Sequence, residues 1–501
     1  MDTKNTSSRP DSTSKTVGLA FFWSMIGNSF GQGMSLILFL YIAKFVSQES
    51  FGIMAVCLMT IEIAKRLVLD PIAITLKSKS QLSDFDLNNA FTFVMLASGG
   101  VALLLFVFSS PLAYLLGTSQ ISIYLPFMAP ILLGFGLTRI QDVWLSRAMQ
   151  YRSLAIRNIL SVLAGGGVGV SMALNGMQIW SLIGQQLAIS LVSMITLWAA
   201  TPWRPKLTLS HDWLARHANQ SGHNSIANLW ASLSQDSDIY FVSAILGPAA
   251  AGLFNASRRI MLAVTITLTF AISSVSLSAL ANIADERKRA ESMMMGLAAT
   301  CLITMPAFSG LSLIGVNIVA LVLPSHWSYA GQILSIMSIG GIALTLHALC
   351  GAMLSVSQRA DLNNLCSGIT AIVTLVAYWF AARLGLLPMA WAVVFTGFAT
   401  LPLRFFFIRR VVGVSWSEIF SAMAPALCAS ALMYGLTLCI DYTFLSHRGV
   451  LSLTVTICSG GLTYVTCLRL ISKHQFDMLF EKVWQHLPAS RWRRGNRSES
   501  A

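Results

Sequence analysis

The sequence predicts an all-α polytopic membrane protein: about fourteen transmembrane helices, forming two six-helix lobes around a central cavity, plus a C-terminal helix pair. Three observations lead there. Of 501 residues, 55% are hydrophobic and 11% charged, with a mean hydropathy of +0.68, whereas a water-soluble domain carries about 25% charged residues to solvate its surface. Apolar stretches long enough to cross a bilayer recur along the chain, and basic residues alternate between the segments that connect them. The shortage of charge also excludes a nucleic-acid binder, although the formal net charge is +13.

One helical crossing needs about 20 predominantly apolar residues. By that measure the spans are 17–43, 52–74, 89–116, 121–146, 154–174, 177–200, 222–246, 251–281, 292–323, 328–355, 362–382, 387–408, 418–440 and 450–471. Segment 1–16 is Ser/Thr-rich and reads as a cytoplasmic tail. The stretch from Val17 is too long for a secretory-signal core and has no small-residue cleavage pattern, so it is read as a retained first crossing. The first lobe is 17–200, a cytoplasmic linker covers 201–221, and the second lobe is 222–410. The extra helix pair is 411–471 and a basic cytoplasmic tail is 472–501. In lipid every backbone polar group must be satisfied within its own segment, which makes helices the solution for such spans.

Charge supplies the orientation. With the amino terminus in the cytoplasm, the inward segments hold 25 of the 33 basic residues, from Lys4, Arg9 and Lys15 to Arg491, Arg493, Arg494 and Arg497, and the outward loops hold only Lys44, Arg383 and Arg448. This alternation follows the positive-inside rule and places both termini in the cytoplasm. Most of the basic excess is therefore a topology signal. The run Arg491–Arg497 reads first as a topology anchor, with contact to anionic headgroups of membrane lipids as the alternative.

Five basic residues remain inside the spans: Lys65, Arg66, Arg139, Arg258 and Arg259. The accompanying acids are Glu62, Asp70, Asp142, Asp236 and Asp238. A charge at mid-bilayer costs about 2.5–3.5 kcal/mol on insertion scales, so such groups face a partner or a cavity. Glu62 precedes Lys65 by three and Arg66 by four, and Arg139 precedes Asp142 by three, so both sets can pair on one helical face. Pairs that merely neutralise one another are one reading, and lining of a polar cavity is the other. Arg258 and Arg259 have no acid within a turn on their own helix, and their nearest candidates lie in the 222–246 span.

Other patterns carry less. The eight cysteines lie in apolar spans without a CxxC, which reads as packing with no metal centre or disulfide framework. Gly165–Gly169 (GGGVG) follows no strand and is no nucleotide loop. Gly27 and Gly31, at GxxxG spacing, allow close helix contact. The histidines are scattered, and neither His326 nor His347 has ligand spacing to another.

Internal repetition is more informative. A shift of 200 residues sets Phe45–Ile53 on Ile245–Leu253, with Gly52 on Gly252. A shift of 207 sets Ser110–Gly117 on Asn317–Pro324 and Arg152 on Arg359. Similar offsets on corresponding loops suggest two parallel lobes with a site between them. In that arrangement Lys65 and Arg66 face Arg258 and Arg259 across the cavity.

Five segments occur in an order and spacing that resemble bacterial polysaccharide flippases: DLNNAF (Asp86–Phe91), SRAMQYRSLAIRNI (Ser146–Ile159), IWSLIGQQL (Ile179–Leu187), PWRPKL (Pro202–Leu207), and the stretch from Asp238 through Gly247 to Gly252–Arg259. The resemblance covers roughly residues 17–410. It is to the lipopolysaccharide or exopolysaccharide exporter branch of the multidrug/oligosaccharidyl-lipid/polysaccharide superfamily. It implies movement of a polyprenyl-pyrophosphate-linked oligosaccharide from the cytoplasmic to the periplasmic leaflet. Asp238 matches an acid and Arg259 an arginine of the family pattern, while Arg258 stands where an aromatic is commoner. The sequence departs at Leu69-Asp70-Pro71, where the acid is expected one position earlier and a proline kink is introduced.

The chemistry agrees with that implication. Lys and Arg in a low-dielectric cavity make charge-assisted hydrogen bonds to phosphate. The expected substrate ligands are Lys65, Arg66, Arg258 and Arg259. Glu62, Asp70, Asp236, Asp238, Arg139 and Asp142 are the expected charge-pairing or ion-coupling groups. The expected mechanism is alternating access, with no cofactor and a proton or sodium ion for coupling. The expected partners are the lipid-linked oligosaccharide and a polysaccharide polymerase or export machinery. A drug or organic-cation antiporter of the same superfamily is the main rival, although the intramembrane charge is balanced rather than acidic. A membrane enzyme of polysaccharide assembly would place a catalytic cluster in a large outer loop, and the sequence has none. A membrane scaffold would leave the buried arginines without a reason.

Overall fold

Long helices follow one another from end to end, and among the described residues there is no strand. The computed structural model describes residues 11–79, 81–280, 286–444 and 449–473. Most of the basic tail, together with Lys4, Arg9 and Arg448, lies outside them. The helices are α1 Asp11–Ile42, α2 Gln48–Ala64, α3 Asp70–Ser78, α4 Asp84–Val107, α5 Ser109–Leu115, α6 Ile121–Arg147, α7 Tyr151–Leu174 and α8 Ile179–Ala200. They continue as α9 His211–Leu246, α10 Pro248–Leu280, α11 Glu286–Val322, α12 Ser328–Val356, α13 Ala360–Leu384, α14 Leu386–Val412, α15 Trp416–Phe444 and α16 Val450–Ile471.

Eleven of these helical stretches are long and apolar enough to cross a membrane, so the chain is a multi-pass membrane protein. The other three expected spans, 52–74, 222–246 and 251–281, coincide with α2–α3, α9 and α10, the segments that carry Glu62 to Asp70, Asp236, Asp238, Arg258 and Arg259. The π turn divides the first of them into helices of 17 and 9 residues, and α9 carries Asp236 and Asp238.

Three spans differ from their sequence outline. The 52–74 span is α2 and α3 joined by a π-helical turn, Lys65–Leu69. The 89–116 span breaks at Phe108 into α4 and α5. Half of the expected 201–221 linker is helical, because α9 begins at His211. Hydropathy hides that start, since 211–224 is polar. Burial supplies it instead: Trp213 is 1% exposed, donates from Nε1 to Asp86 Oδ1 at 3.0 Å, and stacks on His217. Asp86 is also half of a reciprocal cap on α4, in which Ser83 Oγ accepts from the Asp86 amide and Asp86 Oδ2 accepts from the Ser83 amide.

By compactness the chain divides into Met1–Arg259 with Ala371–Met389, and Ile260–Thr370 with Ala390–Ala501. In the first unit α7 packs against both α1 and α8. The GGGVG run makes this possible: Gly165 and Gly169 lie on Ile189 and Gln185 of α8, and Gly166 lies on Leu38 of α1. Of the GxxxG pair, Gly27 abuts Ala155 while Gly31 borders open space. In the second unit α11 packs on α12, α15 and α16, and Tyr464 Oη of α16 donates to Leu302 O of α11 at 2.8 Å. That bond ties the last helix into the unit.

Candidate functional site

All ten charged residues singled out in the spans lie in the first unit, where they form two networks and one cation apart. The first network centres on Asp236 of α9. Arg258 of α10 donates to its Oδ1 at 2.7 Å, and Arg66 of the π turn donates to its Oδ2. Arg258 also pairs with Asp238 Oδ1 at 3.2 Å and donates to Gln235 O at 2.7 Å. Arg66 adds a 3.4 Å bond to Ser232 Oγ. Lys65 and Arg66 thus do not face Arg258 across open space, because Arg66 and Arg258 share one carboxylate.

Exposure separates the two arginines. The Arg258, Asp236 and Asp238 side chains are 8%, 8% and 4% exposed, whereas Arg66 is 35% exposed. Arg258 is consumed by its pairs and braces α10 against α9. Arg66 rests on Asp236 and Ser232 and remains a third exposed.

The second network runs along α6. Glu62 pairs with Lys65 at 2.7 Å, and Lys65 Nζ lies 4.1 Å from the Phe135 ring centroid, a cation–π contact. Arg139 makes its short ion pair with Asp70, at 2.8 Å, and the i, i+3 contact to Asp142 is longer, at 3.8 Å. Asp142 is shared with Arg157 at 3.1 Å and Lys77 at 3.3 Å. The topological reading assigns Lys77 and Arg157 to inward segments and so misses this role. Their distance in sequence from Asp142 gives no periodic signal.

Arg259 stands apart. Its Nη2 donates to Ser35 Oγ at 2.6 Å and its guanidinium lies 4.9 Å from the Phe39 ring centroid, both on α1. Among the described residues no carboxylate pairs with it. Arg404, in the second unit, is another such cation that sequence reasoning placed among the inward residues. It is 7% exposed and donates to Asn363 Oδ1 at 2.6 Å and Ser367 Oγ at 3.1 Å. Ser35, Asn363 and Ser367 could not be found beforehand, because small polar residues are common in membrane helices.

Residues 41–331 match the family described as "Polysaccharide biosynthesis protein". The chain belongs to that family. The resemblance drawn from the five segments is thereby borne out. The succinoglycan biosynthesis transport protein ExoT of Rhizobium meliloti (strain 1021) is 25% identical over 343 residues, which are 67% of this chain and 68% of that protein. Among solved structures, the lipid II flippase MurJ in an inward closed conformation is similar with a TM-score of 0.74 at 13% identity, covering 89% of this chain and 98% of that one. An inward-facing multidrug resistance MATE transporter of the MOP superfamily is similar with a TM-score of 0.56 at 12% identity, covering 78% of this chain and 94% of that one. The family member described here therefore has the fold those transporters share.

Proposed function

We propose that the protein flips a polyprenyl-pyrophosphate-linked oligosaccharide from the cytoplasmic to the outer face of a bacterial inner membrane, by alternating access, with both termini cytoplasmic. The observation that carries this reading is Arg259, a half-buried arginine with Ser35 and Phe39 as partners and no carboxylate among the described residues. In a low-dielectric setting such a cation lacks a counter-ion, and a diphosphate would supply one with bidentate geometry. Arg66, held by one carboxylate and a third exposed, can exchange that partner for phosphate oxygens, and Lys65, 15% exposed and held by Glu62, can join it. Arg258 stays on Asp236 and Asp238 and keeps α10 in place. The names of two relatives, one a succinoglycan transport protein and the other a lipid II flippase, support a lipid-linked glycan as cargo and a transporter rather than an enzyme.

In this reading Asp236 hands Arg66 to the substrate and takes it back afterwards, and a proton or sodium ion on Asp236, Asp238 or Glu62 accompanies the reset. A polysaccharide polymerase would receive the flipped unit. An organic-cation antiporter would instead need unpaired acids, whereas Asp236, Asp238, Glu62, Asp70 and Asp142 each hold a cation. The test is polymer export in a deletion strain that carries Arg66→Gln or Arg259→Gln. Loss of export at normal protein level supports the reading, and unchanged export with both substitutions rejects it.

A further inference from the structure

Pro71 creates a local problem that α9 solves. Within the π turn the amide of Asp70 bonds Lys65 O, five residues back. In the same register the amide of residue 71 would serve Arg66 O, and in the α register it would serve Leu67 O. Proline has no such amide. Inside a membrane each unsatisfied carbonyl costs free energy that water cannot offset. Both carbonyls are met by side chains of α9: Asn228 Nδ2 donates to Arg66 O at 2.8 Å and Ser225 Oγ donates to Leu67 O at 2.8 Å.

These two residues belong to a longer stripe. Ser225, Asn228, Ser232 and Asp236 recur at intervals of three and four along α9, which puts them on one helical face. The first two hold the backbone of the π turn, and the last two hold the guanidinium of Arg66. Backbone and head of one arginine are thus fixed by a single surface. The backbone anchors determine where Cα of Arg66 sits. They therefore determine whether its head reaches Asp236 while staying a third exposed.

We propose that Ser225 and Asn228 are positioning residues for Arg66: by donating to the carbonyls of Leu67 and Arg66, one of which Pro71 leaves without its amide, they hold the π turn in the register that aims Arg66 along α9 toward the incoming phosphate. The proposal rests on the flippase reading for its ligand, and its geometry can be tested without it. A residue that acts this way should affect phosphate affinity only while Arg66 is present.

The experiment uses the full chain in lipid nanodiscs with farnesyl diphosphate as the probe. Two quantities are measured: the Kd of the probe, and hydrogen exchange of the amides at 65–72. Ser225→Ala/Asn228→Ala should weaken binding about tenfold, the effect of one or two unsatisfied buried groups, and should speed exchange in that segment. Arg66→Gln should weaken binding while exchange stays slow. Adding Ser225→Ala/Asn228→Ala to Arg66→Gln should weaken it no further. Adding Pro71→Ala to the double variant should slow exchange again, because an amide returns. Gly166→Ala, a packing change against Leu38, should lower stability and leave the Kd unchanged. A double variant that binds within roughly twofold of the parent, or that weakens binding further in the Arg66→Gln background, overturns the positioning role. If the parent itself fails to bind farnesyl diphosphate, the phosphate reading falls. Exchange then decides the clamp alone, and unaltered protection in the double variant overturns it.

Discussion

Gly52 of α2 and Gly252 of α10 press on one another's helices reciprocally. A Cβ on Gly52 would collide with Pro248 O, and a Cβ on Gly252 would collide with Gln48 O. Each residue of this set has its counterpart 200 positions away, so the repeat visible as a shift of 200 in the sequence is a physical two-fold contact between the starts of two helices. The approach brings backbone against backbone, which only glycine permits. Gly247, at φ +88°, makes the turn from α9 that lets Pro248 begin α10 beside it.

Gly52→Ala and Gly252→Ala should each destabilise the protein by about 1–3 kcal/mol or more, as overpacking against backbone cannot relax by a rotamer change. Gly31→Ala, which adds a methyl group in open space, is the control and should be neutral. Thermal unfolding of the detergent-purified variants measures the difference. Equal melting temperatures for all three would contradict the contact.

Asp236→Asn removes the carboxylate that Arg66 and Arg258 share. Breaking a buried pair from one side costs about 3–5 kcal/mol when the partner charge is left uncompensated; Arg258 keeps Asp238 and Arg66 is a third exposed, so a loss of about 3 kcal/mol or less is expected. Adding Arg258→Met together with Asp238→Asn, so that no carboxylate is stranded, should recover part of that loss. The coupling in a double-mutant cycle is expected to exceed about 1 kcal/mol. Strict additivity would show that Asp236 and Arg258 do not act as one unit.

Arg259→Gln is expected to fold and melt like the parent, since the side chain's polar partner is a single serine hydroxyl, yet to lose export. Arg259→Lys should retain part of the activity, because lysine keeps the charge and gives up the bidentate fork. A transport assay set beside unfolding data distinguishes this from collapse of the fold. Lost stability in step with lost export would mean that Arg259 is structural.

At the start of α4, Asp86 accepts from the Ser83 amide and hydroxyl, from Lys79 and from Trp213. Asp86→Ala should cost about 2 kcal/mol or more, as it removes a helix cap and leaves the buried indole N–H without its acceptor. Trp213→Phe should cost less at this cap, because the acceptor keeps its other three donors. Tryptophan fluorescence during denaturation, with Trp213→Phe as the reference, reports the loosening of α9 on α4. An unchanged midpoint for Asp86→Ala would exclude this junction as a stabilising one.

Legibility of the site depended on spacing. Glu62 with Lys65 could be read from i, i+3 geometry, and the acids expected for Arg258 lay on the preceding helix, where Asp236 and Asp238 are found. For Arg139 the same rule finds the longer of two pairs: Asp142, within a turn, lies at 3.8 Å, and Asp70 comes closer from another helix, at 2.8 Å. A rule of local spacing cannot weigh a partner brought in by packing. For the same reason Lys77 and Arg157 read as orientation charges, and Ser225 and Asn228 as ordinary polar residues of α9.

What the sequence by itself determined is whatever the membrane imposes on a chain one segment at a time: helical class, multi-pass character, the approximate spans and the family. Hydropathy is a property of a local window, and a bilayer acts on each window almost independently of the rest. Tertiary structure alone decided how the polar groups are partnered: that Arg66 and Arg258 meet on one carboxylate, that Arg259 lies on Ser35 and Phe39, and that α9 donates to the carbonyls of Arg66 and Leu67 beside Pro71. These contacts join residues more than twenty positions apart, and for all but the Arg258–Asp236 bond more than 150 apart. Their energy depends on which helix faces bury one another, and no local window contains that information.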